Sequence, residues 1–489
     1  QGILVVDKPE GFTSFDVVAK LRGICGTRRI GHGGTLDPMA TGVLPVFVGG
    51  AAKAVDMQER ADKMYTATML LGRRTDTGDV TGETLEQAAV PADIGLDAVA
   101  AVLPRFTGTQ QQVPPMYSAV KIGGKKLYEL AVEMFIRYGF SREDSEKVAD
   151  VILTSDRFGV ESHGVNRLTL YPFGIDIGRI KVDAKPEVVE DRLSMAVIDA
   201  HDGMGQLASI QGMQLAIDKA KKYGVGMVSV RNSNHFGIAG YYSMMAAKQG
   251  LMGVSMTNAE ALVVPTYARE PMFGTNPIAV TIPADPHPFH MDFATSVMTC
   301  GKMEVYAKIG HELQPGMLVD ETGTTCLDPN VFLRIRDNKS NPAYTEKTRG
   351  GIMPMGGEGM LFGGHKGYGL ALLVDIMCAV MSHGAVSKGV RVTKDKEKCC
   401  HFFAAIDYSL FGDKEETNRR LSEYLQSMRD AEPAEGQSRV YVHGDKEADA
   451  EKDVLAHGVG INPATYAEIE KYCVKKGINI KDYLIPEEA

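Results

Sequence analysis

The sequence predicts an α/β protein made of two parts with different character. From about residue 141 onward, helical and strand patterns alternate along the chain. Charge is divided unevenly: residues 1–131 hold 14 basic and 14 acidic residues, so the remainder supplies the whole net charge of −9. We therefore expect a shorter part over residues 1–131 and a larger α/β part over residues 132–489.

Composition excludes several classes of protein. The 489 residues are 44% apolar and 24% charged, which is typical of globular proteins rather than of disordered or fibrous ones. The acidic balance argues against a nucleic-acid-binding surface along the whole chain. Seven cysteines without a CxxC pair argue against a disulfide framework or a structural zinc site. Since the sequence shows neither a long uninterrupted apolar run nor a signal-peptide pattern, we expect no membrane segment and a cytoplasmic protein.

The first part is predicted to open with a strand, a loop and a helix. Ile3–Val6 is a short apolar run rich in β-branched residues, and Thr13 or Ser14 can cap a helix that ends near Leu21. A glycine-dense loop then carries the lone carboxylate of Asp37, in a setting where a ligand can approach the backbone closely. Taken alone, an Asp-Pro pair is typical of a turn.

No linker separates the two parts. Apolar side chains continue at helical spacing across residue 131, at Leu127, Leu130, Met134 and Phe135. The change of character is therefore abrupt.

Five ordered motifs of the first part resemble the TruB-type tRNA pseudouridine synthases. They are Gly2–Pro9 with Thr13-Ser14, Gly31–Pro45, Lys63–Tyr65, Gly72–Gly82 and Lys121–Ala131. The resemblance implies a truncated α+β segment in which Asp37 is the nucleophile that attacks the target uridine and Tyr65 stacks on the flipped base. It also implies tRNA as a partner, with phosphates contacted by Lys20, Arg22, Arg28 and Arg29. The resemblance ends at Ala131, before the Tyr-x-Arg motif whose arginine pairs with the aspartate in that family, so we expect this activity to be impaired or absent.

The second part shows the alternation of an α/β fold. Helices are predicted over Ser141–Phe158 and Gln206–Tyr223, strands over Val225–Val230 and Met252–Met256, and a further helix from about Leu370. No strand is followed by GxGxxG with an acid about 20 residues further on, so the sequence excludes the ordinary dinucleotide-binding fingerprint of a Rossmann fold.

Five motifs of the second part resemble, in order, the type-2 malate/L-lactate dehydrogenase family, which also includes ureidoglycolate and sulfolactate dehydrogenases. They are Ser162-His163-Gly164 with Arg167 and Tyr171, Ser233–Gly237, Gly274–Pro277, Asp292–Ser296 and Gly363–Gly369. The resemblance covers nearly all of residues 132–489. It implies the family's non-Rossmann α/β fold, a homodimer, and a small 2-hydroxy or 2-oxo acid as substrate.

The chemistry of such a reaction suits the residues in these motifs. Oxidation of a 2-hydroxy acid removes the hydroxyl proton as hydride leaves C2, and an imidazole is suited to take that proton. The resemblance favours His235 as this acceptor and keeps His163 as a second acid/base candidate. Arg167 is expected to bind the substrate carboxylate, since a guanidinium matches it in a bidentate pair, and Tyr171 to complete the substrate wall.

The resemblance also implies NAD or NADP as cofactor, with the choice between them open. The residues that it places at the cofactor are Asn234, Thr275, Asn276, Asp292, Ala294, Thr295, Gly364, His365 and Lys366. Lys366 would neutralise pyrophosphate charge. His287 and His290 with Asp292 imitate a metal-binding cluster, but hydride transfer requires no metal, and we expect none.

Two other interpretations stay open at this point. In one, the chain is a tRNA pseudouridine synthase or a bifunctional enzyme that still recognises tRNA through residues 1–131. In the other, the join between the parts is accidental. Which 2-hydroxy acid is used is not readable from the sequence, because a few pocket contacts decide it.

Overall fold

The fold is seen in a computed structural model, which describes residues 1–12, 14–27, 29–33, 36, 39–51, 64–75, 84–91, 94–103, 124–339, 348–461 and 463–483. The chain forms two compact units, residues 1–110 and 111–489. Each unit is a mixture of helices and strands, so the α/β prediction is confirmed.

The first unit is built on a small antiparallel sheet in the order β1–β3–β2. Its described elements are β1 (Gly2–Lys8), α1 (Ser14–Cys25), β2 (Ile30–His32), β3 (Gly42–Val48), β4 (Arg73–Thr75), β5 (Thr84–Gln87) and α2 (Leu96–Val102). The helix α1 packs Val17 and Val18 against Leu44 and Val46 of β3. The predicted opening strand and helix are therefore confirmed, each a few residues longer than expected.

The second unit contains a seven-stranded sheet in the order β11–β10–β9–β14–β8–β7–β6. The strands are β6 (Glu187–Arg192), β7 (Met195–Asp199), β8 (Val225–Ser233), β9 (Met252–Thr257), β10 (Ile278–Ile282), β11 (Phe289–Phe293) and β14 (Cys399–Ile406). Only β7 and β8 pair in parallel, whereas every other neighbouring pair in this sheet is antiparallel. A Rossmann sheet is mostly parallel, so the exclusion of that fold is confirmed.

Helices surround this sheet and form the rest of the unit. They are α3 (Gly124–Arg137), α4 (Arg142–Arg157), α5 (Arg167–Asp176), α6 (Gly205–Tyr223), α7 (Ala239–Ala247), α8 (Cys300–Ile309), α9 (Pro329–Lys339), α10 (Gly364–Asp375), α11 (Lys414–Arg429), α12 (Asp445–His457) and α13 (Pro463–Lys475). Two short strands, β12 (Leu318–Val319) and β13 (Gly351–Ile352), pair with each other. In the described part of the chain, no helix is long and apolar enough to cross a membrane.

Helix ends follow the capping signals in the sequence. The Ser141 hydroxyl accepts a hydrogen bond from the amide of Asp144 at the start of α4, and Gly224 ends α6 in the left-handed conformation. The expected start of a helix near Leu370 is wrong, since α10 begins at Gly364. Gly363 adopts φ 88°, which turns the chain into the helix early, so residues expected to form a loop form its first turn.

The helix α3 carries the apolar residues that continue across residue 131. Leu127, Leu130, Met134 and Phe135 are all fully buried and belong to the core that α3, α4, α5 and α13 share. The boundary between the two resemblances therefore lies inside one continuous helix. A domain boundary at residues 131 and 132 stays a prediction.

Candidate active site

One side of the site is a short turn between α4 and α5. Residues Glu161–His163 form a single 3-10 turn, and α5 begins at Arg167. The Nδ1 atom of His163 lies 2.8 Å from the hydroxyl oxygen of Ser162. His163 and Arg167 are thus placed by two successive elements rather than by one helix.

The other side is the loop between β8 and α7, which carries His235. The ring of the next residue, Phe236, is buried and stacks on His401 of β14 with centroids 4.6 Å apart and planes 10° apart. The Nδ1 atom of His235 accepts a hydrogen bond from the amide of Gly237 at 3.3 Å. This contact holds the Nδ1 edge of the His235 ring against its own loop.

The structure brings the two predicted histidines together with Tyr171. The rings of His163 and His235 stack with centroids 5.3 Å apart, and the Tyr171 hydroxyl lies 2.9 Å from His235 Nδ1. Burial, followed by the nearby Arg167, lowers the pKa of His163 to about 3 and the pKa of His235 well below its ordinary value. Both rings are therefore neutral near pH 7.

Arg167 and Tyr171 are the charged and phenolic members of this group. Burial lowers the pKa of Arg167 and raises the pKa of the Tyr171 phenol. The Arg167 Nε atom is buried and has no hydrogen-bond partner among the described residues. Since a buried guanidinium nitrogen is costly to leave unpaired, this donor suits an anionic ligand.

Three of the predicted cofactor residues, Thr275, Asn276 and Thr295, form one hydrogen-bonded group. The Thr295 hydroxyl donates to the carbonyl oxygens of Thr275 and Asn276, at 3.2 and 3.0 Å. The Asn276 side-chain amide donates to the carbonyl of Ala371 in α10 at 3.0 Å. These side chains therefore tie the ends of β10 and β11 to α10.

Asn234 and Asp292 each support the loop that carries His235. The Asn234 amide donates to the carbonyls of Asp202 and Gly203, at 2.9 and 2.8 Å. The Asp292 carboxylate accepts from the amide of Gly240 at 2.7 Å, within the first turn of α7. Burial raises the pKa of Asp292 to about 6.

The remaining predicted cofactor residues lie at the end of a strand and at the start of a helix. Ala294 directly follows β11, and Gly364, His365 and Lys366 form the first turn of α10. Lys366 is exposed, and His365 Nδ1 is buried without a hydrogen-bond partner among the described residues. A side chain at Gly367 would lie 2.2 Å from the carbonyl oxygen of Met355, so only glycine fits there.

The three residues whose spacing imitates a metal site, His287, His290 and Asp292, each bond to a different partner. His287 pairs with Asp445 at 3.0 Å, and His290 Nδ1 lies 2.8 Å from the Thr281 hydroxyl. Over the ranges that the structure describes, no group of three or more His, Cys, Asp or Glu side chains is arranged to hold a metal ion.

The predicted residues of the first unit are only partly described. Asp37 and Arg28 lie outside the described residues. Tyr65 is 68% exposed, Lys20 and Arg29 are exposed, and Arg22 is half-buried.

Sequence reasoning missed a partly buried group of charges beside the histidines. Arg391 binds Glu397 through two hydrogen bonds of 2.9 and 2.5 Å and pairs with Glu260 at 3.4 Å, and Arg179 pairs with Glu397 at 3.3 Å. The charge of Arg391 contributes to the lowered pKa of His235. No spacing in the sequence connects these residues, because three loops bring them together.

The chain is similar to a known enzyme family over most of its length. A family model described as malate/L-lactate dehydrogenase matches residues 122–470. The chain belongs to the malate/L-lactate dehydrogenase family.

Members of the malate/L-lactate dehydrogenase family align over most of their own length. Malate dehydrogenase of Pyrococcus abyssi is 38% identical over 361 residues, which is 73% of this chain and 96% of that protein. L-sulfolactate dehydrogenase of Methanocaldococcus jannaschii is 33% identical over 358 residues, 73% of this chain and 97% of that protein. The solved structure of malate dehydrogenase from Entamoeba histolytica aligns with a TM-score of 0.70 and 31% identity, over 74% of this chain and 99% of that one.

The first part is similar to a different family. A model of the N-terminal domain of TruB family pseudouridylate synthases matches residues 22–138. The tRNA pseudouridine synthase B of Lactococcus lactis is 52% identical over 130 residues, which is 27% of this chain but only 40% of that protein. The likeness therefore stops well short of the whole synthase.

Proposed function

We propose that the chain is an NAD(P)-dependent dehydrogenase that interconverts a small 2-hydroxy acid of the malate or lactate type and its 2-oxo acid. The observation that carries the proposal is the hydrogen bond between Tyr171 and His235, 2.9 Å long, in a buried site that also holds Arg167. An acid/base group, a group that orients it and an anion-binding donor are what this reaction needs.

His235 is the proposed proton-transferring residue. As an imidazolium it can give its Nε2 proton to the oxygen of a 2-oxo acid and keep its other hydrogen on Nδ1, beside the Tyr171 hydroxyl, and the reverse reaction returns the proton to Nε2. A bound carboxylate brings negative charge beside the ring and raises the pKa of His235 from its low value, which favours the imidazolium as the proton donor. His163, stacked on His235, is the second acid/base candidate.

Arg167 is proposed to bind the substrate carboxylate, and the unpaired buried Nε supports this role. Tyr171 keeps the His235 ring oriented because its hydroxyl can both donate and accept. Relatives named for malate and for sulfolactate support a substrate with a second anionic group beyond the 2-carboxylate.

The cofactor residues fit a nicotinamide dinucleotide, which when bound supplies or accepts the hydride. His365 Nδ1, in the first turn of α10, is a buried atom that needs a partner. Lys366, at the same helix start, would neutralise phosphate charge.

The other proposed cofactor residues would contribute mainly by shaping the backbone around the cofactor. Their polar groups bond to other parts of the chain, as seen for Asn234, Asn276, Thr275 and Thr295. Asp292 and Ala294 would do the same at the end of β11.

A homodimer belongs to the same proposal. Exposed apolar side chains concentrate just before and along α10, where Leu361 is 85% and Phe362 is 82% exposed and Leu372 and Leu373 are also accessible. Large exposed apolar groups of this kind are typical of protein interfaces.

A second candidate activity is pseudouridine formation in tRNA, with Asp37 as nucleophile and Tyr65 at the base. The 52% identity of the first part to a tRNA pseudouridine synthase favours it, and the coverage of only 40% of that enzyme counts against it.

The test is an assay of the purified chain for NADH and NADPH oxidation with a panel of 2-oxo acids, beside an assay for pseudouridine on tRNA. We expect reduction of oxaloacetate, pyruvate or a related acid that falls at least about a hundredfold in His235→Asn. Asp37→Ala should leave this activity unchanged. Pseudouridine formation without turnover of any 2-oxo acid would refute the dehydrogenase proposal.

A further inference from the structure

We propose that Ser155 and Asp156, two consecutive residues at the end of α4, are positioning residues that hold both ends of the turn carrying His163. The inference rests on the proposed dehydrogenase function. It concerns residues outside the motifs that resemble the family.

Ser155 and Asp156 each form a hydrogen bond to the backbone on one side of the turn at residues 161–163. The Ser155 hydroxyl donates to the carbonyl of Val160 at 2.7 Å, just before the turn. The Asp156 carboxyl oxygen Oδ2 accepts from the amide of Val165 at 2.8 Å, just after it. Both side chains are buried, so neither bond is exchanged for water at low cost.

The fit between Asp156 and the turn is close. A Cβ atom added at Gly164 would lie 1.7 Å from Asp156 Oδ1 and 2.6 Å from Oδ2. The carboxyl therefore occupies the space that any side chain at residue 164 would need. Gly164, next to His163, is required because Asp156 is there.

The carboxyl acts mainly as a neutral acceptor. Burial raises the pKa of Asp156 to about 8, since the charge of Glu161 adds to the effect of burial and the hydrogen bond from Val165 offsets only part of it. No ion pair of Asp156 is found among the described residues. An uncharged asparagine of similar shape should therefore replace it in the contact with Val165.

His163 depends on this arrangement for its place beside His235. Its backbone amide bonds to the carbonyl of Val160, the same carbonyl that Ser155 holds. A shift of the turn would move His163 out of the stack with His235, in which the ring centroids are 5.3 Å apart. Misplacement of about 1 Å near reacting groups can cost on the order of a hundredfold in rate.

The experiment compares Asp156→Asn, Asp156→Ala and Ser155→Ala in the full chain, with Asp144→Ala on the same helix as control. Among the described residues, the side chain of Asp144 forms only a 3.9 Å ion pair with Lys185. We expect Asp156→Ala to lower kcat at least about tenfold with KM nearly unchanged, and Asp156→Asn to restore kcat to within about threefold of wild type. Hydrogen exchange of residues 160–165 should accelerate in Asp156→Ala and Ser155→Ala but not in Asp156→Asn.

The measurements of kcat and of hydrogen exchange distinguish failure of the proposed function from failure of the positioning role. If the wild-type chain turns over no 2-oxo acid, the proposed function fails, while hydrogen exchange still tests the positioning role. If Asp156→Ala does not fold, Ser155→Ala decides, with faster exchange and lower kcat expected. Wild-type kcat together with wild-type exchange in either alanine variant would overturn the inference, and so would an asparagine variant as impaired as the alanine one.

Discussion

His163 and His235 stack with ring centroids 5.3 Å apart and ring planes 22° apart, although 72 positions separate them in the chain. One ring comes from a turn after α4 and the other from a loop after β8. Their proximity disfavours a positive charge on either ring. Several testable properties depend on this arrangement.

Replacement of Tyr171 by phenylalanine removes the hydroxyl that lies 2.9 Å from His235 Nδ1. We expect kcat to fall about tenfold or more with little change in KM, because the lost bond orients the acid/base group and does not bind substrate. Steady-state kinetics with the preferred 2-oxo acid measures this. Tyr408→Phe, which removes a hydroxyl bonded to Asn418 at 2.7 Å, is the matched control and should retain wild-type kinetics.

Replacement of Arg167 by glutamine should weaken substrate binding. A charge-assisted hydrogen bond to a carboxylate contributes about 1.5–3 kcal/mol, so we expect KM to rise about ten- to a hundredfold. Arg334→Gln, which loses an exposed ion pair with Glu321, should not change KM. An unchanged KM in Arg167→Gln would contradict the carboxylate-binding role.

The pH dependence of 2-hydroxy acid oxidation follows from the lowered pKa values of the two histidines. Oxidation needs a neutral ring, and kcat/KM reports ionisation of the free enzyme. With the pKa of His163 at about 3 and that of His235 also well below its ordinary value, kcat/KM should stay flat from pH 8 down to pH 5.5. An unshifted histidine would lose about nine-tenths of its neutral form by pH 5.5. A fall with a midpoint near 6.5 would therefore contradict the buried, neutral pair.

Stability should fall as pH rises because of Asp156. Its pKa in the folded state, about 8, exceeds the unfolded value of about 3.9, so the folded state binds more protons between these two values. Stability from this group is thus fully present below about pH 4 and is lost as pH rises towards 8. Thermal melts at pH 5 and pH 8 should show a larger decrease for wild type than for Asp156→Asn. An equal decrease in both proteins would argue against the raised pKa.

Introduction of a charge at Phe362 tests the proposed homodimer. We expect Phe362→Glu to shift the chain from dimer to monomer in light scattering, since the side chain is 82% exposed in the single chain. Phe411→Glu, at a residue 89% exposed and distant in sequence, is the control and should leave the mass unchanged. A monomeric wild-type chain would refute the dimer.

Local signals in the sequence were sufficient for the elements that position the site. Ser141 predicts the start of α4 and Gly224 predicts the end of α6, because capping depends only on neighbouring residues. The sequence predicts the start of α10 too late, near Leu370 instead of Gly364. A glycine-rich stretch can form a loop or the first turn of a helix, and its tertiary contacts determine which one forms. The motifs contain His163, Arg167, Tyr171 and His235, which the structure brings together, and the roles of these residues stay predictions. The charges of Arg391, Glu397 and Glu260 could not, because their pairing depends on how distant loops fold together.

The helix α3 lies where the two family resemblances of this chain meet. The two family models overlap over residues 122–138, and α3 occupies Gly124–Arg137 inside that overlap. Apolar residues of a helix reach one core only if their spacing stays in phase, and here Leu127 and Leu130 precede residue 131 while Met134 and Phe135 follow it. All four reach the same core. One helix therefore matches the sequence patterns of two protein families at once.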